Sequence, residues 1–182
     1  MTAEISEILK LCLEVHETLS ACRHVGLPDY YLAGGAITQV VWNHKLGLPL
    51  LNNVKDFDVV YFARHEQYHE AEFQRQIDVL VNHDIPVDVK NQANVHEWYP
   101  LKFGNEIEPY SSSEEGIASW LPAFAVGVRL EEGGLKVFAP YGLEDLMNMY
   151  IRPNKTVMTE QSYRNMTKSF KHRWPEVTIE SW

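Results

Sequence analysis

The sequence predicts a mixed-sheet domain of the α/β or α+β class, a mixed central sheet flanked by helices. Strand-like runs crowd the middle of the chain, and helical periodicity precedes, separates and follows them. No repeat or low-complexity tract breaks the pattern. With 182 residues and 45% apolar composition the chain suits one domain, residues 1–182. The C-terminal helical part, about 141–182, reads either as part of it or as a small appendage.

Ile5, Ile8, Leu9, Cys12, Val15, Leu19 and Cys22 recur at three- and four-residue spacing, which predicts an amphipathic helix over 4–23 that Gly26-Leu27-Pro28-Asp29 stops. Residues 30–33 form a short apolar strand running into Gly34-Gly35, and 36–44 read as a helix with Ile37, Val40, Val41 and His44 on one side. Residues 47–53 are a loop. A strand over 56–62 follows, then a polar helix from about 66 to 81, a third strand over 86–90 and a short helix near 92–98. Residues 100–113, with Pro100, Gly104, Pro109 and three serines, read as the most loop-like stretch. After a helix over 114–120, strands 124–130 and 135–138 make a hairpin around Glu131-Glu132-Gly133-Gly134. Helices over 143–150 and 161–173 close the chain.

Composition narrows the chemistry. A net charge of -9, with 25 acidic against 16 basic residues, disfavours long nucleic acid, whose phosphates need clustered Lys and Arg. It leaves room for one nucleotide held by a metal and a few cations. Cys12 and Cys22 lie about 15 Å apart along one predicted helix, too far for a disulfide. With no basic-then-apolar leader, the expectation is a reduced, cytoplasmic setting. No apolar run approaches the ~18 residues of a membrane span. His44, His65, His69 and His83 lack zinc-ligand spacing.

The acids carry the functional signal. Asp56 and Asp58, two apart on a strand, share a face of a segment otherwise built for burial, and Asp88 sits on a later strand of similar character. Carboxylates a few ångströms apart repel, so a three-acid cluster persists by sharing a hard cation. Mg²⁺ is the expected ion, with Mn²⁺ as the alternative, because it prefers oxygen and bridges carboxylates to phosphates. A plainer reading fits as well: Asp56 caps the strand, Asp58 faces solvent and Asp88 pairs with a lysine. Gly34-Gly35 adds a turn in which backbone N–H groups opening a helix can face an anion.

Leu32-Ala33-Gly34-Gly35 followed by Asp56-Phe57-Asp58 resembles the signature of the polymerase-beta-like nucleotidyltransferase superfamily. Closer still is the likeness to a family of small bacterial nucleotidyltransferase-like proteins. It rests also on Val41-Trp42, on Asp88-Val89-Lys90-Asn91-Gln92-Ala93 with His96, and on Ala139-Pro140-Tyr141-Gly142-Leu143-Glu144-Asp145-Leu146. In similar proteins the helix after the glycines tends to read Arg-Asn where this chain has Thr38-Gln39, and an isoleucine often stands at Phe57. The resemblance implies a nucleotidyltransferase-like fold and transfer of a nucleoside monophosphate from an NTP to an unidentified acceptor hydroxyl. It implies Asp56, Asp58 and Asp88 as catalytic and metal-binding residues, and Gly34 and Gly35 as nucleotide contacts.

Lys90 is a further nucleotide-contact candidate, or an ion pair with Asp88. Asn91 and Gln92 suit sugar or base edges, or cap the next helix. His96 is a candidate for a catalytic role. Trp98 with Tyr99 suits stacking or core packing, and Arg129 and Arg152 are possible phosphate donors. Two other functions use the same residues: a non-catalytic nucleotide- or partner-binding module, and a metal-dependent phosphohydrolase.

Overall fold

The structure is a computed structural model and describes residues 1–65 and 69–182. The N-terminal apolar stripe is buried as expected, but on two helices, α1 (Thr2–Lys10) and α2 (Leu13–Val25). Cys12 is extended at the junction, with φ -99 and ψ 103. The break lets α1 pack on α3 (Gly35–Lys45) while α2 packs on α4 (Glu70–Leu80), two directions that one straight rod would not reach. The start of the helix expected from about 66 falls partly on residues 66–68, outside the described residues.

Five strands form the main sheet: β1 (Tyr31–Ala33), β2 (Phe57–Tyr61), β3 (Val87–Asn91), β4 (Gly127–Glu131) and β5 (Gly134–Phe138), in the order β3-β2-β1-β4-β5. β2 and β3 run parallel, joined through α4, and the other pairs are antiparallel. Alternation sorts the side chains. Leu32, Phe57, Val59, Val89 and Val128 face the largest apolar cluster, under α1 to α4. Tyr31, Ala33 and Val60 pack on the other side with Ile117 and Ala125. By the same period Asp58 shares the side of Val60, and Asp88 that of Lys90. Asp56 lies one residue ahead of β2 rather than on it.

The largest departure from expectation follows β3. A 3₁₀ turn at Gln92–Asn94 leads into α5 (Val95–Phe103), which takes Pro100 into a stretch whose composition reads as loop. Pro100 forgoes one ladder bond. Val95, Trp98, Tyr99 and Phe103 share the inward side of α5, and their packing outweighs the local signal. α6 (Ser113–Ala118) is capped by Ser112, whose Oγ accepts from the Glu115 N–H at 3.0 Å.

The helix expected over 143–150 is one turn, α7 (Glu144–Met147), because Met149 turns the backbone to φ +53 and β6 (Tyr150–Ile151) begins. β6 pairs in parallel with β7 (Thr178–Ile179). Between them α8 (Glu160–Arg173) starts at Thr159, whose Oγ1 accepts from the Ser162 N–H at 3.2 Å. Residues 141–182 are fastened to α3. Trp42 Nε1 donates to the Leu146 carbonyl at 2.9 Å and Trp174 Nε1 to Asn43 Oδ1 at 2.8 Å, while Phe124 and Trp174 pack edge-on to Trp42.

Candidate active site

Parallel pairing of β2 and β3 sets Asp58 opposite Asp88, and Ala33, just ahead of Gly34, pairs with Asp58 on the other flank. Strand register alone thus gathers the glycine turn and two acids, and Asp56 joins them from the loop entering β2. Gly34, Gly35, Asp56, Asp58, Asp88, Lys90 and Gln92 all line one cavity of about 370 Å³. That volume is in the range of small-molecule sites.

Asp58 is partly buried, while Asp56 and Asp88 are exposed. Burial, then the charges of Asp56 and Asp88, push the Asp58 carboxyl up to about 7, against the pull of Lys102 and Lys90. Lys90 lies 2.9 Å from Asp88 Oδ1 and 3.4 Å from Glu70 Oε1. Burial works against its ammonium, but the two acids outweigh it and its pKa is raised. Both readings of Lys90 therefore hold at once: it pairs with Asp88 and it lines the cavity. Among the described residues no three His, Cys, Asp or Glu side chains stand close enough to form a metal cage. Asp56, Asp58 and Asp88 are backbone neighbours rather than a closed cluster, with the Asp88 carboxylate engaged by Lys90.

Other expected site residues are placed elsewhere. Asn91 is fully buried and off the cavity wall. Its side chain donates to the Ala63 carbonyl and accepts from the N–H groups of Ala63 and Ala93, a clamp and a cap. Gln92 reaches the wall but is 4% exposed, and its amide donates to the Lys90 carbonyl at 3.5 Å. His96 is off the wall. So is Arg129, held by Asp29 at 3.2 Å and Glu131 at 2.8 Å. Arg152 Nε lies 2.6 Å from Asp145 Oδ2, an ion pair without hydrogen-bond geometry. Trp98 and Tyr99 do line the cavity.

Three cationic side chains and one amide on the wall escape a reading of the sequence. Lys55 and Lys102 are exposed, and among the described residues neither forms an ion pair. Lys102 extends over the rings of Trp98 and Phe103, at 5.7 and 5.4 Å. The signal was present, since Lys102 follows Trp98 by one helical turn, but it shows only once that stretch is known to be helical. Gln39 is 7% exposed and its amide lies against Gly35. Arg173 approaches from the far end of the chain. Its Nη1 donates to the Asn53 carbonyl at 3.1 Å, and the Asn53 side chain returns a bond to the Arg173 carbonyl at 3.3 Å. Cys12 and Cys22 are free and buried, with thiols pushed by burial up to about 11 and about 12, so neither is a nucleophile at neutral pH.

A mixed sheet that brings paired acids beside a glycine turn opening a helix defines the nucleotidyltransferase fold. Residues 20–179 match the nucleotidyltransferase family model, and the chain belongs to that family, enzymes that transfer nucleotidyl groups from nucleoside triphosphates. The fold is similar to a solved NMR structure described as revealing a CCA-adding enzyme head domain, with TM-score 0.82 and 23% identity over 99% of this chain and 96% of that one. It is also similar to a CCA-adding enzyme in complex with ATP, with TM-score 0.52 and 17% identity. That alignment covers 96% of this chain but 39% of the other. At these identities the likeness is one of fold. No curated protein matches the chain in sequence. Among the described residues no helix is long and apolar enough to cross a membrane.

Proposed function

We propose that the chain transfers a nucleoside monophosphate from an NTP to an acceptor hydroxyl, releasing pyrophosphate, with Mg²⁺ or Mn²⁺ held by Asp56, Asp58 and Asp88. The observation that carries this reading is the pairing of Asp58 with Asp88 on a cavity wall shared with Gly34 and Gly35. The donor set suits the ion in kind: three carboxylates on one cavity wall, not drawn together into a cage, one of them raised toward neutrality by burial and then by its acidic neighbours, a strain that a hard divalent cation would relieve. When bound, such an ion stabilises charge on the attacking and leaving oxygens.

The chain's own groups do the remainder. N–H groups at the start of α3 and the ammonium groups of Lys55 and Lys102 face the triphosphate, and Gln39 offers an amide beside them. Asp88, exposed at the cavity, takes the acceptor's proton. Lys90 balances the charge of that carboxylate. The acidic surface disfavours long nucleic acid as acceptor.

The test is pyrophosphate release from each NTP with Mg²⁺ or Mn²⁺, in wild type and Asp58→Asn. Divalent-dependent release that falls about a thousandfold in the variant, on the scale of a lost transition-state contact, is the expected result. Equal release with excess chelator, or free phosphate without any labelled acceptor, would sink transfer and favour hydrolysis.

A further inference from the structure

α8 presents Ser162, Met166, Phe170 and Arg173 to the cavity, steps of four, four and three that keep one helix face inward. At ~1.5 Å per residue this row is about 16 Å long. Its C-terminal end stands at the acids, because Arg173 holds the Asn53 carbonyl three residues before Asp56 and feels the Asp56 charge. Away from the acids the row runs on into Val157 and Met158, which also line the cavity. Phe124 stacks on Phe170 at 4.3 Å and 20°, extending the same wall. Trp98, Tyr99 and Phe103 of α5 supply rings elsewhere on the lining.

The cavity is therefore two-natured. Its charges belong to the segments around β2 and β3, to Lys102 and to Arg173. The α8 wall beyond Arg173 presents carbon and sulfur. Ser162 is its one hydroxyl among the described residues, and that oxygen already accepts from Thr159 Oγ1 at 3.0 Å.

We infer that this wall seats the acceptor, and that the acceptor is a small molecule carrying its reacting hydroxyl on an apolar frame, aromatic or aliphatic. The inference rests on the transferase reading of the acids. A sugar or other polyol laid on this wall would turn its hydroxyl groups toward methylenes, rings and thioethers, an arrangement that buried polar groups avoid. An apolar frame loses nothing there, and the unbranched Met158 and Met166 adjust to its outline. Lying along α8, the frame brings its hydroxyl end to the acids. There the hydroxyl oxygen forms a bond to the α-phosphorus and the bond from that phosphorus to the bridging oxygen breaks. Pyrophosphate leaves with the electron pair, and the hydroxyl proton passes to the carboxylate cluster.

The test uses the full chain with 4-phenyl-1-butanol as probe and glycerol as an alcohol without the apolar frame. Tryptophan fluorescence is expected to saturate with the first and not with the second. Met166→Gln, at a half-buried position on the edge of an apolar cluster, is expected to weaken that binding at least tenfold and to lower the thermal midpoint only slightly, while the affinity for Mg²⁺·ATP stays at the wild-type value. With labelled NTP, the phenylbutyl diester is expected to form at least tenfold more efficiently than the glyceryl one. Equal use of the two alcohols, or a Met166→Gln chain that binds the probe normally, would overturn the inference while divalent-dependent pyrophosphate release left the transferase reading standing. Saturable probe binding that Met166→Gln removes, with no pyrophosphate from any acceptor, would support the seat and overturn the transferase reading instead.

Discussion

Trp120 occupies the space that a side chain on Gly34 would need. A Cβ there would lie 2.6 Å from Cζ3 of the indole. Gly34 also holds φ +63 and ψ -123, a conformation that only glycine adopts without strain. At Gly35 the corresponding Cβ would lie 2.7 Å from the Gln39 amide nitrogen, so that amide folds back over the first turn of α3. The glycine pair makes room for two side chains of the protein as well as for an anion.

Gly34→Ala should therefore lower stability by about 3 kcal/mol or more, from backbone strain together with the clash. Adding Trp120→Ala removes the clash and leaves the strain, so the double variant should unfold later than the two separate losses summed would place it. Urea unfolding of the four chains measures this. A wild-type midpoint for Gly34→Ala would refute the steric account.

Asp58 makes stability depend on pH with a definite sign. Its carboxyl is raised to about 7 in the folded chain and titrates near its ordinary value when unfolded, so between those points the folded state binds more protons. Without divalent ions, stability should fall as pH rises from about 4 to about 7 and level off beyond. Asp58→Asn should flatten that slope and raise metal-free stability at pH 8 by about 1–2 kcal/mol, a figure reduced for solvent screening. Mg²⁺ should raise the thermal midpoint of wild type more than that of the variant. Parallel pH profiles for the two chains would contradict this.

Lys102 is exposed and touches the rest of the chain mainly through the rings of Trp98 and Phe103. Lys102→Ala should leave the fold intact and raise KM for NTP about tenfold, the scale of one charge-assisted phosphate contact. The deficit should shrink as salt screens the interaction. Steady-state kinetics at low and high ionic strength provide the check, and an unchanged KM at low salt would remove Lys102 from the substrate.

Asn43 is fully buried and satisfies three partners: it donates to the carbonyls of Leu50 and Asn52, both at 2.8 Å, and accepts from Trp174 at 2.8 Å. Asn43→Ala strands all three and should cost about 3 kcal/mol or more. It also frees the loop that carries Asp56. A chain that keeps its stability but loses divalent affinity would show that Asn43 positions the loop without supporting the core.

Local physics made much of this protein legible in one dimension. Period-two alternation marked β2 and β3, and three- and four-residue spacing marked α3 and the apolar stripe of α1 and α2, because each element buries one face and the burial imprints its own period. The glycine turn and all three acids were legible for a related reason: they adjoin short strands whose neighbours are unmistakably apolar. The signal failed where tertiary contacts outweighed local preference. α5 forms through Pro100 because its rings pack inward, and α7 stops early because Met149 turns left-handed to begin a strand only two residues long.

The sequence by itself determined which residues are chemically capable, since alternation and turn chemistry are properties of near neighbours. Only the tertiary structure decided which of them meet. Pairing of β2 with β3 depends on a crossover through α4, and the arrival of Arg173 beside the Asp56 loop depends on α8 returning to α3 through Asn43 and Trp174. Contacts between residues 30 to 130 positions apart leave no period in the chain. They are set by the shapes that packed elements present to one another, and so the wall that faces the acids could be read only in three dimensions.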